Sequence, residues 1–282
     1  MVVKGQVHRI SSNVTAFELG DGGGENALIF IGGLGDGLLT VPYVERLTLP
    51  QGWCVYNLLF SSSYTGWGLG SLDRDVEEMA LLVQYLKSEK KGKIVLMGHS
   101  TGTQDCIHYL LTNGKDVDGV ILQASVSDRE AMEMSMGHEE LGRINEAILK
   151  LQEAHGAEYI IPREYSDKFF GAPMTCYRWL SMSLKGGDDD YFSSDLSDEQ
   201  LRSTFGKVDK PLAFLYSGDD EFVPSTVDKQ SLVEHWSSFV PSQYLSKESK
   251  VVPGATHNCG SKSKPESFSV LNESVSNFLS SI

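Results

Sequence analysis

Gly98-His99-Ser100-Thr101-Gly102, near the middle of a 282-residue chain, has the make-up of a turn that exposes a serine nucleophile. It follows an apolar run at 94–97 that predicts a buried strand. It opens an amphipathic stretch at 104–112, with Cys106, Ile107, Leu110 and Leu111 inward and Gly114 just past the end. A serine on a sharp strand-to-helix turn needs small residues on both sides, because its backbone is pressed against neighbouring elements. The two glycines leave that room. A serine hydroxyl is a weak nucleophile at neutral pH, so it needs a base within hydrogen-bond reach and a carboxylate that orients the base.

With such a turn, the acid and then the histidine are expected later in the chain, each just beyond the C-terminal end of a strand. Residues 217–224 follow an apolar run at 211–216 and offer two acids, Asp219 and Asp220. The spacing Asp-x-x-Val-Pro favours Asp220 and leaves Asp219 as a solvated turn residue. Pro253-Gly254-Ala255-Thr256-His257 follows a short strand pattern at 250–252, which makes His257 the expected base. The bland alternative is a loop histidine with a structural hydrogen bond. The other histidines lie at the N-terminus, beside Ser100, or on expected helices.

The oxyanion of a tetrahedral intermediate would be held by the N–H of Thr101 and by one from the Gly-rich loop at 32–37, expected to be that of Leu34. This loop lacks the Gly-Lys-Ser/Thr ending of a phosphate-binding loop and does not fit Gly-x-Gly-x-x-Gly in register. No His/Cys cluster has metal-ligand spacing, so no metal or other cofactor is expected. Tyr64 and Trp67, in the loop after a strand at 53–59, are candidates for stacking on a substrate. Asp188, Asp189 and Asp190 read as a solvated loop or, more sharply, as a cation-attracting rim.

The elements that must position these residues are legible. Apolar runs at 27–31, 53–59, 94–97, 119–123 and 211–216 alternate with amphipathic stretches, which predicts an α/β domain with a mostly parallel sheet flanked by helices. Ser71 predicts an N-cap for a helix with Val76, Met79, Ala80, Val83 and Leu86 on one face. Phe268, Leu271, Val275 and Phe278 predict a closing helix. Residues 126–206 are richer in Met, Glu and aromatics, with helical periodicity at Ile144, Ile148 and Leu151. They predict a mostly helical cap inserted between core segments 1–125 and 207–282.

Composition narrows the partners. With 24 Lys plus Arg against 38 Asp plus Glu, the net charge is −14, which disfavours nucleic acid and anionic membrane surfaces. At 40% hydrophobic residues, the chain has enough apolar material for a sizeable core. No uninterrupted apolar run predicts a signal peptide or a membrane span, and four scattered cysteines fit a reducing, cytoplasmic setting.

With these residues in place, the chain resembles the α/β-hydrolase superfamily and, more narrowly, the fungal siderophore-esterase family typified by fusarinine C esterase. The likeness rests on residues 30–38, 61–67, 71–78, 97–102, 187–195 and 218–224. It implies a serine esterase that opens ester bonds between N-acyl-hydroxyornithine units of an iron-carrying hydroxamate siderophore and frees the iron. The residues alone predict a Ser100–His257–Asp220 hydrolase acting on a small-molecule ester. Rivals are a lipase, thioesterase, carboxylesterase or acyltransferase of the same fold, and a binding protein without catalysis. Dehalogenase chemistry is disfavoured, because it uses a carboxylate where Ser100 stands.

Overall fold

Residues 2–282 are described by a computed structural model. Its sheet runs β1-β2-β4-β3-β5-β6-β7-β8. The strands are β1 (Gly5–Arg9), β2 (Thr15–Leu19), β3 (Asn26–Ile31), β4 (Trp53–Leu59), β5 (Ile94–His99), β6 (Gly119–Gln123), β7 (Leu212–Ser217) and β8 (Lys250–Val252). From β4 to β8 every pairing is parallel; β2 joins antiparallel to β1 and to β4. The inner strands β5, β6 and β7 are buried along their whole length, as continuous apolar runs covered on both faces require. The strand order reverses at β3, with β4 on one side and β5 on the other. The loops after β3 and β5 therefore diverge and leave a crevice at the strands' C-terminal edge.

One face of the sheet is covered by α1 (Leu72–Ser88), α2 (Gly102–Asn113) and α8 (Lys229–Phe239), the other by α9 (Ser267–Ser281). Helix α1 starts where Ser71 Oγ accepts the Arg74 N–H at 3.1 Å, and it buries Val76, Met79, Val83 and Leu86. The β1–β2 hairpin was not anticipated, whereas α8 falls where His235 was expected on a helix. The exposed strand β1 (Gly-Gln-Val-His-Arg) carries no core-facing alternation. Helix α8 buries only Leu232, Val233 and Trp236.

Between β6 and β7 lie α3 (Asp128–Met136), α4 (His138–His155), α5 (Arg163–Ser166), α6 (Cys176–Ser183) and α7 (Asp198–Ser203). They do not pack as one unit. Helices α3, α4 and α6 enclose their own core around Met132, Ile144, Ile148 and Trp179. Phe192, Leu201 and Phe205 instead join the sheet core, with Phe205 edge-on to Phe214 at 5.5 Å. Helices α3, α4 and α6 thus form a layer with a core of its own. It is pinned by buried Arg178, which ion-pairs with Asp189 and donates from Nε to the carbonyl of Trp67 at 3.1 Å. All four cysteines are buried and unpaired.

Candidate active site

Ser100 stands between β5 and α2 with φ +54°, a left-handed conformation that a non-glycine residue holds only under constraint. Its N–H donates to the carbonyl of Gln123 at 3.1 Å. Its own carbonyl accepts the Thr103 N–H at 2.8 Å and the Thr103 hydroxyl at 2.7 Å. The flanking glycines are required by space. A Cβ at Gly98 would lie 2.3 Å from the Gly102 carbonyl oxygen, and one at Gly102 would lie 2.4 Å from that of Ile31. Gly33 passes equally close: a Cβ there would meet Ser100 Cβ at 2.5 Å.

His257 donates from Nδ1 to Asp220 Oδ2 at 2.8 Å, a direction set by the carboxylate's having only acceptors. Nε2 is then the free, basic nitrogen. Asp220 is buried, and its second oxygen accepts the Phe222 N–H at 3.0 Å. The chain around His257 is held by Glu221, whose carboxylate accepts the His257 N–H at 2.8 Å. Asp219 is exposed and makes no bond to the imidazole. Ser100 and His257 front one cavity of about 180 Å³. The hydroxyl makes no hydrogen bond to the imidazole among the described residues, a looseness common in substrate-free sites.

Behind His257 lies a polar layer that sequence reading missed. Gln123 Oε1 accepts from Tyr43 Oη at 2.9 Å and from His99 Nδ1 at 2.6 Å, while its amide nitrogen donates to Ser217 Oγ at 3.1 Å. The amide also approaches the carbonyl of His257 at 3.4 Å. The ring of His99 lies 4.8 Å from that of His257. Burial, reinforced by that neighbour, pushes the pKa of His99 down to about 4, so it is neutral at physiological pH. The one available signal was Gln123 itself, a polar residue closing an otherwise apolar strand.

The loop after β3 is wound by Asp36. Its Oδ2 accepts the Gly33 N–H at 2.9 Å and its Oδ1 the Thr40 hydroxyl at 2.8 Å. That occupies Gly33. The N–H groups of Leu34 and Thr101 donate to no protein acceptor among the described residues, and Leu34 lies on the wall of the cavity at Ser100. Asp128, at the start of α3, lies on the same wall. Burial, and next the charge of Asp189, push its carboxyl up to about 7. Read in sequence, Ser127-Asp-Arg-Glu130 is only a helix-start signature, so nothing there revealed the burial of Asp128.

Other placements differ from expectation. Tyr64 does not reach the cavity at Ser100. Its ring covers Gly37, where a Cβ would lie 2.1 Å away, and its hydroxyl accepts the Leu38 N–H at 3.0 Å. Trp67 is buried edge-on against Phe169 at 6.5 Å, within the core of the covering helices. The Asp188–Asp190 loop is neither fully solvated nor on the cavity wall. Asp189 is buried against Arg178, Asp190 accepts the Gly186 N–H at 2.8 Å, and exposed Asp188 meets Tyr177 Oη at 2.5 Å. The aromatic walls are instead Phe169, Phe170 and Phe222. Among the described residues, no group of three or more His, Cys, Asp or Glu side chains is arranged to hold a metal ion. Among them, too, no helix is long and apolar enough to cross a membrane.

Comparison with known proteins places this geometry in a lineage. A family described as "Protein of unknown function (DUF1749)" matches residues 1–280. The chain belongs to that family. Among its relatives, the UPF0613 protein PB24D3.06c of Schizosaccharomyces pombe is 38% identical over 279 residues, which is 91% of this chain and 85% of the relative. Fusarinine C esterase sidJ of Aspergillus fumigatus is 34% identical over 316 residues, spanning 91% of this chain and 89% of that protein. The solved siderophore hydrolase EstB from Aspergillus fumigatus superposes with a TM-score of 0.83 at 32% identity, covering 99% of this chain and 98% of that one. The fold is that of the α/β hydrolases.

Proposed function

We propose that this chain is a serine esterase that cleaves ester-linked hydroxamate siderophores; its likeness to proteins named fusarinine C esterase and siderophore hydrolase supports the substrate class. The observation that carries the reading is that His257, paired behind the wall with buried Asp220, fronts the same cavity as Ser100 on its strained turn. In the first half-reaction, Ser100 Oγ attacks the ester carbonyl while its proton passes to His257 Nε2, and Asp220 stabilises the imidazolium. The N–H groups of Leu34 and Thr101 hold the oxyanion. The tetrahedral intermediate collapses by breaking the bond to the leaving oxygen, which takes the proton back from Nε2. Water then repeats the sequence on the acyl-enzyme and releases the acid.

A cavity of about 180 Å³, walled by phenylalanines yet bordered by the Asp128 carboxyl, favours a short acyl group with polar substituents over a long fatty chain. When the ester carries chelated iron, the metal is cargo, released as the chelating chain is cut. Four buried, unpaired cysteines suit a reducing compartment, and we place the reaction in the cytosol.

The test is a panel of ferric and iron-free ester siderophores, acyl-CoA thioesters and short p-nitrophenyl esters, with products read by mass spectrometry. Hydrolysed siderophore esters are expected from the natural chain and none from Ser100→Ala. Brisk thioester turnover with every siderophore intact would overturn the substrate assignment.

A further inference from the structure

We propose that Asp128 is a positioning residue for the oxyanion donor of Thr101, and that it serves the reaction only while its carboxyl is protonated. The proposal rests on the serine-esterase reading and adds a residue to it.

Asp128 holds the strand-to-helix turn from the cap side. Its Oδ1 lies 3.3 Å from the Thr101 hydroxyl, and its Oδ2 accepts the Gln104 amide at 3.0 Å. Both partners belong to the start of α2, the backbone that presents the Thr101 N–H to Ser100. Asp128 is itself the first residue of α3, so one side chain ties the covering helices to the oxyanion donor.

The surroundings argue against a charge at this position. No salt bridge reaches Asp128 among the described residues, and its two partners are neutral. Arg178, on α6, is committed to Asp189 and to the Trp67 carbonyl. Asp189 itself, in the loop after α6, adds negative potential, while Asp105, on α2, is buried nearby with its own carboxyl pushed well up by burial. Asp36 and His99, from the loop after β3 and from β5, share the cavity wall, and His99 is neutral. The charge of Arg178, the hydrogen bond from the Thr101 hydroxyl and, last, His257, from the loop after β8, favour the ionised form, and burial together with Asp189 outweighs them.

An ionised Asp128 would set a second negative charge in the small cavity where the oxyanion develops, in surroundings where like charges interact strongly. A protonated Asp128 adds no charge and still bonds both partners, because the Thr101 hydroxyl can accept its proton.

Asn reproduces that neutral arrangement, with the amide oxygen toward Gln104 and the amide nitrogen toward Thr101. The experiment measures kcat/KM for α-naphthyl acetate, and the rate of labelling by a fluorophosphonate, between about pH 6 and about pH 9.5. The natural chain is expected to fall about tenfold across the alkaline limb. Asp128→Asn is expected to keep rates within about threefold at the acid end and to lose the alkaline fall. Asp128→Ala, which leaves Thr101 and Gln104 without a partner, is expected to lower kcat with little change in KM.

A flat alkaline limb in the natural chain, or an unchanged fall in Asp128→Asn, would overturn the proposal. The first of these needs no variant to fold. If Ser100→Ala labels or turns over like the natural chain, the esterase reading itself fails. With Ser100→Ala inert, the same results count against Asp128 alone.

Discussion

Ser100, His257 and Asp220 come from three separate turns, and each has a distinct physical task. The φ of +54° at Ser100 is held by hydrogen bonds to Gln123 and Thr103. The imidazole is fixed through Nδ1 by Asp220 and through its backbone by Glu221. Replacing Asp220 with Asn would favour the wrong tautomer, and kcat should fall by roughly a thousandfold or more. Asp219→Asn, at an exposed position without a bond to the ring, should stay within about twofold by the same assay. Equal losses from the two would reverse the assignment of the acid.

At the scale of elements, the β5–α2 turn works because nothing larger than hydrogen fits beside Ser100. Gly98→Ala forces a methyl to 2.3 Å from a backbone carbonyl, which should destabilise by about 1–3 kcal/mol and abolish turnover; thermal melts and esterase assays on one preparation check both. The covering helices depend on Arg178. Removing its charge alone strands buried Asp189, so Arg178→Met should cost about 3–5 kcal/mol, and adding Asp189→Asn should recover part of it. Denaturant titrations of the single and double variants measure the coupling.

The sequence made the inner parallel strands readable, because buried strands are unbroken apolar runs, and the turns at Ser100 and Asp220 each follow one; the turn at His257 follows only the short, half-buried β8. It concealed the β1–β2 hairpin, whose outer strand is exposed. It also concealed where Tyr64, Trp67 and Asp188–Asp190 point, because packing between covering helices and sheet decides that, and no local pattern encodes it. Asp189 shows the difficulty: three successive aspartates read as solvated, yet one is buried by an arginine eleven residues away in the chain.

Across the whole molecule, buried acids set the response to pH. Burial raises the carboxyl of Asp75 to about 6 and that of Asp128 to about 7, whereas in the unfolded chain both ionise near about 4. Between those values the folded state holds more protons than the unfolded one. Their contribution to stability therefore declines as pH rises from about 4 to about 7. Urea unfolding at about pH 5 and about pH 8 should show a smaller decline in Asp128→Asn than in the natural chain. The reverse order would mean that Asp128 is ionised in the native state.

The central claim, that Ser100 forms the covalent bond, is tested most directly by peptide mass spectrometry after fluorophosphonate treatment of the intact protein. The account predicts a single adduct on the peptide containing Ser100, absent in Ser100→Ala and strongly slowed in His257→Gln. An unlabelled protein, or an adduct on another serine, would contradict it.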